Sequence, residues 1–256
     1  MSEKATRYRK DNRKDKHETR TISGNELVAN DNTHNGEDYQ LGWFRPTQAQ
    51  SSICYSMQVN DLTVVQSVSG SGKSSTAIWQ SLNLLKQGKY KHLVFVKTPC
   101  EDGDDQIGFL TGDANQKLAA HFEAMRTIFT DFMSKGKLEC EEKRGRINFT
   151  IPNFIAGKTL YDTVLIIDEA QKISPMTMKL LLERVSDSCT VVVLGDKAQR
   201  YAKNKRADGL TDLISKITNQ DGDCVEDNMA VIVLGSESNV RGRLSKRIVE
   251  LYGSRK

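Results

Sequence analysis

Long apolar runs and paired cysteines are missing from this 256-residue sequence. No apolar stretch approaches the roughly 18–20 residues that a bilayer span needs, and the basic N-terminus is not followed by an apolar core. Neither a transmembrane helix nor a signal peptide is expected. The five cysteines, at 54, 100, 140, 189 and 224, form no Cys-x-x-Cys pair. Their odd number and wide spacing argue against a disulfide framework or a zinc ribbon, and for buried free thiols in a reducing cytoplasm. With four prolines, 38% hydrophobic and 27% charged residues, the chain is neither collagen-like, mucin-like nor wholly disordered. Its length has room for one large domain or two small ones. A soluble, cytoplasmic protein is the expectation.

The net charge is +4 and unevenly spread. Residues 1–20 carry +4 and residues 240–256 carry +5, so residues 21–239 sum to −5. Two basic ends on a mildly acidic body fit a solvated tail plus an amphipathic terminal helix. They equally fit contacts with RNA, DNA or nucleotide phosphates, and charge alone does not decide.

Residues 1–40 are nearly all polar and read as a disordered or loosely held segment, with one folded domain over 41–256. Within that domain five short apolar runs, at 62–65, 93–96, 164–167, 191–194 and 231–234, are continuous rather than alternating. Strands buried on both faces have this pattern, and they belong mainly to parallel sheets. Between them the 3.6-residue period predicts helices over 74–87 and 114–133, a third after the N-cap Ser174 and Pro175, and a last one over about 240–252. Residues 136–151 read as a β-hairpin turning near Gly145, inserted on a sheet edge. The expected fold is α/β, a three-layer sandwich around a mainly parallel central sheet.

The first apolar run leads into Ser67-Val-Ser-Gly-Ser-Gly-Lys-Ser74, where a helical pattern begins. A loop of this kind converges backbone N–H groups on phosphate oxygens at a helix N-terminus. Ser69, Gly70, Ser71, Gly72, Lys73, Ser74 and Ser75 are therefore the candidate nucleotide-binding residues. Gly70 and Gly72 permit close backbone approach, Lys73 neutralises the β- and γ-phosphates, and the Ser74 hydroxyl suits a Mg²⁺ ion. Ser67 stands where the usual Walker A pattern has glycine. Gly157-Lys158-Thr159 mimics the end of such a loop but lacks the preceding apolar strand.

A second motif, Val164-Leu-Ile-Ile-Asp-Glu-Ala-Gln171, ends a buried strand in two carboxylates. This is a Walker B arrangement, in which Asp168 holds the Mg²⁺ and Glu169 orients or deprotonates the attacking water. A third strand end, Val191-Val-Val-Leu-Gly-Asp-Lys-Ala-Gln199, offers Gln199, which could reach a γ-phosphate or the catalytic water. Gln48 and Gln50 lie upstream of the loop, where an adenine edge could be read.

Together these pieces resemble the PhoH-like family of P-loop ATPases, which look like a single RecA-like half of a superfamily 1 helicase. The resemblance covers roughly residues 45–253. It includes Lys97-Thr-Pro99, Gly108-Phe-Leu-Thr-Gly-Asp113 with Lys117, Gly157-Lys-Thr-Leu160, and Asn239-Val-Arg-Gly-Arg-Leu…Arg247-Ile-Val-Glu-Leu-Tyr252. Ala156 replaces an arginine of the family pattern, Thr111 a proline, and Gly242-Arg243 a His-Pro pair. The resemblance implies ATP and Mg²⁺ as cofactors and ATP hydrolysis coupled to RNA or single-stranded DNA, helicase-like. It implies Gln199 as γ-phosphate sensor, Gln50 as adenine contact, and Arg241 as an arginine finger acting across a homo-oligomeric ring, with six subunits as the expected size. The basic N-terminal tail and the lack of a fused RNA-binding or nuclease domain point to a minimal, phage-encoded version working in the host cytoplasm. Two other readings stay open: a nucleotide-gated assembly or binding protein with little turnover, and a ribonuclease.

Overall fold

The computed structural model describes residues 39–98, 114–155, 158–199 and 208–240, together with 242–244, 247–248 and 251. All five apolar runs form strands. They are β1 (Leu62–Ser67), β2 (His92–Lys97), β4 (Thr163–Asp168), β5 (Thr190–Gly195) and β6 (Met229–Leu234). A sixth, β3 (Ile147–Thr150), completes a sheet of order β3-β2-β4-β5-β1-β6. Every pairing is parallel. The interior strands are apolar on both faces because helices cover both. In β4, Val164 and Ile166 join one core cluster while Leu165 and Ile167 join the other. β5 divides in the same way, with Val192 and Leu194 on one side and Val191 and Val193 on the other.

The helices are α1 (Gln48–Val59), α2 (Lys73–Lys86), α3 (Ala114–Phe129), α4 (Lys135–Lys143), α5 (Pro152–Ile155), α6 (Pro175–Leu182) and α7 (Gly209–Ile217). The first four supply most of one face, where Phe95, Phe129 and Phe149 pack edge to face with centroids 4.9–6.3 Å apart. α6 and α7 cover the other. The expected N-cap holds, since Ser174 accepts from the Thr177 amide. α1 and α7 were not read from the sequence. Yet α1 carries a full capping box, in which Thr47 accepts from the Gln50 amide and the Gln50 side chain accepts from the Thr47 amide. The described positions 243–244, 247–248 and 251 are helical, as expected for the C-terminal segment.

The β-hairpin expected over 136–151 is not formed. Ser134 caps α4 through the Lys137 amide, and Gly145, at φ +69°, ends that helix and turns the chain into β3. β3 then pairs parallel to β2 as an edge strand. The glycine marked the turn correctly, but a helix precedes it because Glu141 is a core position. That carboxylate is fully buried, accepting from the Tyr39 hydroxyl at 2.6 Å and facing Lys137 at 3.0 Å and Arg146 at 3.3 Å. Tyr39 and Gln40, assigned by sequence to the loosely held segment, thus belong to the packed body. The Gln40 amide donates to the Phe132 carbonyl at 2.7 Å.

Burial pushes the Glu141 carboxyl up, but Tyr39, Lys137 and Arg146 together outweigh it and leave it below the ordinary value. A lowered folded-state pKa contributes stability above the unfolded value, about 4.3, and loses it as pH falls toward the folded value. Glu141→Gln should therefore be less stable than the parent by about 2 kcal/mol at pH 7, with the gap narrowing below about pH 4. Urea denaturation at both pH values checks this, and a gap that stays constant with pH would show that the carboxylate charge contributes nothing.

Candidate nucleotide site

The parallel topology brings all six strand ends to one edge, and the sheet order sets three of them side by side. β5 lies between β4 and β1, so Asp196 follows a strand flanked by the Walker B strand and the loop strand. The loop from Ser67 to Ser74 has the expected shape. Gly70 and Gly72 adopt φ of +82° and +75°, and Lys73 opens α2. Ser67 has no positive φ, so a side chain is accommodated where the usual pattern has glycine. Its buried hydroxyl hydrogen-bonds to the Ser71 hydroxyl at 2.8 Å and closes the loop from inside.

Two further segments brace the loop. Gln50 is buried, its amide nitrogen donating to the Ser71 carbonyl at 2.9 Å and its amide oxygen held by the Thr47 amide at 2.9 Å. Gln50 therefore backs the loop, and both ends of its carboxamide are engaged there. A Cβ on Gly72 would sit 2.6 Å from the Gln50 nitrogen, so this approach requires glycine. From the C-terminal side, Asn239 donates to the Ser69 carbonyl at 3.4 Å and the Val240 amide to the Gly70 carbonyl at 2.9 Å. Neither brace beyond Gln50 was legible as a single-residue signal. Beside them lies a cavity of about 410 Å³ lined by Thr47, Gln48, Ala49, Ser238 and Val240, among others. A larger groove of about 830 Å³, between α6 and α7, contains none of the expected site residues.

Ser74 and Asp168, 94 residues apart in sequence, meet as the two motifs require: the Ser74 hydroxyl lies 3.2 Å from Oδ1 and 3.3 Å from Oδ2. A hydroxyl beside a buried carboxylate, with no imidazole or thiolate in the set, is an oxygen donor pair suited to Mg²⁺. Burial raises the Asp168 carboxyl above its ordinary value; Lys97 opposes this, Glu169 adds to it, and Lys73 opposes it. Glu169 leaves the strand in the left-handed region, φ +57° and ψ +41°, a conformation that costs a non-glycine residue about 1–2 kcal/mol. Its carboxylate accepts from the Gln171 side chain at 2.7 Å and lies 3.6 Å from the Lys172 ammonium.

Gln171 received no role from the sequence, but it links two strand ends. Its oxygen accepts from the Asp196 amide at 3.1 Å while its nitrogen holds Glu169. Gly195 is forced by this crossing, because a Cβ there would lie 2.9 Å from the Gln171 oxygen and 2.6 Å from Leu210. Gln199 ends a short 3-10 turn after β5, its amide donating to the Asp196 carbonyl, and its side chain is exposed. Arg241 lies outside the described residues, directly after Val240. The segments 99–113 and 156–157, which carry part of the resemblance, lie outside them too. Among the described cysteines all four are free, and burial pushes the Cys54 thiol up to about 11, an inert state. No described helix is long and apolar enough to cross a membrane.

The family profile described as PhoH-like protein matches residues 45–253. A PhoH-like protein of Bacillus subtilis is 27% identical over 206 residues, covering 80% of this chain and 62% of that one. A PhoH-like protein of Synechocystis is 27% identical, covering 86% and 64%, and Protein PhoH of Escherichia coli is 28% identical, covering 62% and 44%. The chain thus spans less than two thirds of the length of these relatives. Among solved structures, a helicase domain of Hef from Pyrococcus furiosus aligns with a TM-score of 0.45 at 14% identity, covering 78% of this chain and 40% of that one.

Removing the Ser67 hydroxyl would leave that of Ser71 buried without its partner. Ser67→Ala should therefore lower stability by about 1–2 kcal/mol in chemical denaturation. Parent-like stability would mean that the hydroxyl pair does not hold the loop.

Proposed function

We propose, from the premise that this chain belongs to the PhoH-like protein family, that it binds ATP with Mg²⁺ and hydrolyses it. The observation that carries this reading is the meeting of Ser74 with Asp168, with Glu169 at the next position. Backbone amides of Ser69–Ser75 would receive the phosphates, and Lys73 would neutralise the β–γ pair. Mg²⁺ would be held by Ser74 and Asp168 and would draw charge from the phosphate oxygens. Glu169, anchored by Gln171 and Lys172, orients the attacking water and takes its proton. Gln199 senses the γ-phosphate, and Gln171 carries its position to Glu169 through the Asp196 backbone. The base rests in the cavity beside Val240. The sequence reading of Gln50 as adenine contact gives way here to a loop-bracing role, and Gln48 is the glutamine that faces this cavity.

Coupling to RNA or single-stranded DNA, in helicase fashion, is the part of the proposal supported by the basic ends of the chain. A homo-oligomeric, hexameric ring, with Arg241 acting on the neighbouring site, is proposed with it and would set adjacent domains on either side of a strand. The cytoplasm is the proposed location.

Steady-state ATP hydrolysis at low salt, with and without RNA and single-stranded DNA, tests the reading. Lys73→Ala and Glu169→Gln should each lower turnover at least about 100-fold, with Glu169→Gln still binding ATP. Arg241→Ala should lower it by about 10³-fold if the finger completes the site. Turnover stimulated by one polymer names the track. Lys73-dependent turnover indifferent to both polymers would overturn the coupling, and tight ATP binding without turnover would favour the nucleotide-gated assembly.

A further inference from the structure

Lys97 ends β2, and its register partner across the ladder is Asp168 at the end of β4. Its ammonium lies 3.7 Å from Oδ2 of that carboxylate. The other oxygen, Oδ1, accepts from the Glu169 amide at 3.0 Å. The carboxylate oxygen that the backbone leaves free is therefore the one that faces Lys97. It also lies 3.3 Å from the Ser74 hydroxyl, the position a divalent cation would share.

Two cations drawn to one carboxylate oxygen repel each other, and they do so strongly where protein excludes water. The Lys73 charge also acts on Asp168, but this carboxylate forms its ion pair with Lys97. The Lys97 backbone is fixed by the ladder on one side, and its carbonyl lies 3.1 Å from His121 Nε2 on the other. Its side chain is 29% exposed, so the ammonium is partly hydrated while the backbone is held in place.

We propose that Lys97 is a positioning residue: an exchangeable counter-ion of Asp168 that Mg²⁺ displaces, and that thereby sets the Mg²⁺ concentration at which nucleotide binds. This rests on the reading of the P-loop as an ATP·Mg²⁺ site. It adds a cationic switch that neither Walker motif contains. Lys97 acts on the metal through Asp168 and makes no contact with nucleotide in the metal-free complex.

The test is equilibrium binding of a fluorescent ATP analogue to the full chain, with Mg²⁺ titrated from an EDTA-buffered start. Parent, Lys97→Met and Lys97→Arg would be compared, with thermal melting as a check on folding. For Lys97→Met the half-saturating Mg²⁺ should fall about tenfold, the scale of one lost charge–charge repulsion over a few ångströms, with affinity in EDTA unchanged. Lys97→Arg, which keeps the charge, should stay near the parent. An unchanged or raised Mg²⁺ midpoint in Lys97→Met overturns the proposal. So does weakened binding in EDTA, which would make Lys97 a phosphate ligand. If the parent fails to bind the analogue at any Mg²⁺ concentration, the nucleotide-site reading falls, and this inference with it.

Discussion

A carboxylate buried in the middle of a parallel sheet must be compensated from every side, and the arrangement around Asp168 is organised by that need. β4 has a strand on either flank and apolar packing on both faces, so Asp168 emerges at its end with almost no access to water. An uncompensated charge there would cost several kcal/mol. Ser74 approaches from the loop, the Glu169 amide from the chain itself, and Lys97 from the neighbouring strand. The left-handed turn at Glu169 follows from the same constraint, since it ends the strand abruptly and carries the second carboxylate on to Gln171 and Lys172.

The phosphate loop is correspondingly pre-shaped. Its carbonyls at Ser69, Gly70 and Ser71 are occupied by Asn239, Val240 and Gln50, and its inner hydroxyls by each other. A loop held in this way loses little further conformational freedom on binding phosphate.

Much of this was legible in the sequence, for identifiable reasons. Strands buried on both faces leave continuous apolar runs, so five of the six could be read directly. The second arm of the expected hairpin is the edge strand β3, but its first arm is a helix, because that charged segment is built on one buried glutamate. α1 carries its start signal in the Thr47–Gln50 capping box, but a glutamine at that place reads equally well as a nucleotide contact. The candidate residues on the loop and on β4 could be named because their motifs are local. Gln171 and Lys97 lay beside those motifs, but their meaning depends on which strands become neighbours. Strand order is a property of topology, and spacing along the chain does not contain it.

That same order has a consequence for how the protein comes into being. β1, which carries the loop, is the first strand among the described residues, yet both of its neighbours, β5 and β6, come from the last third of the sequence. The braces on the loop are equally remote: Gln50 lies 21 residues before its partner, but Asn239 lies 170 after. During synthesis from the N-terminus, β1 therefore waits with two unpaired edges and an apolar surface until β5 and β6, more than 120 residues later, have been made. Contacts of such separation form slowly, and exposed edges of this kind invite pairing with other chains. The loop after β1 is thus translated well before the strands and braces that complete its shape, a sequence of events in which holding chaperones have their natural place.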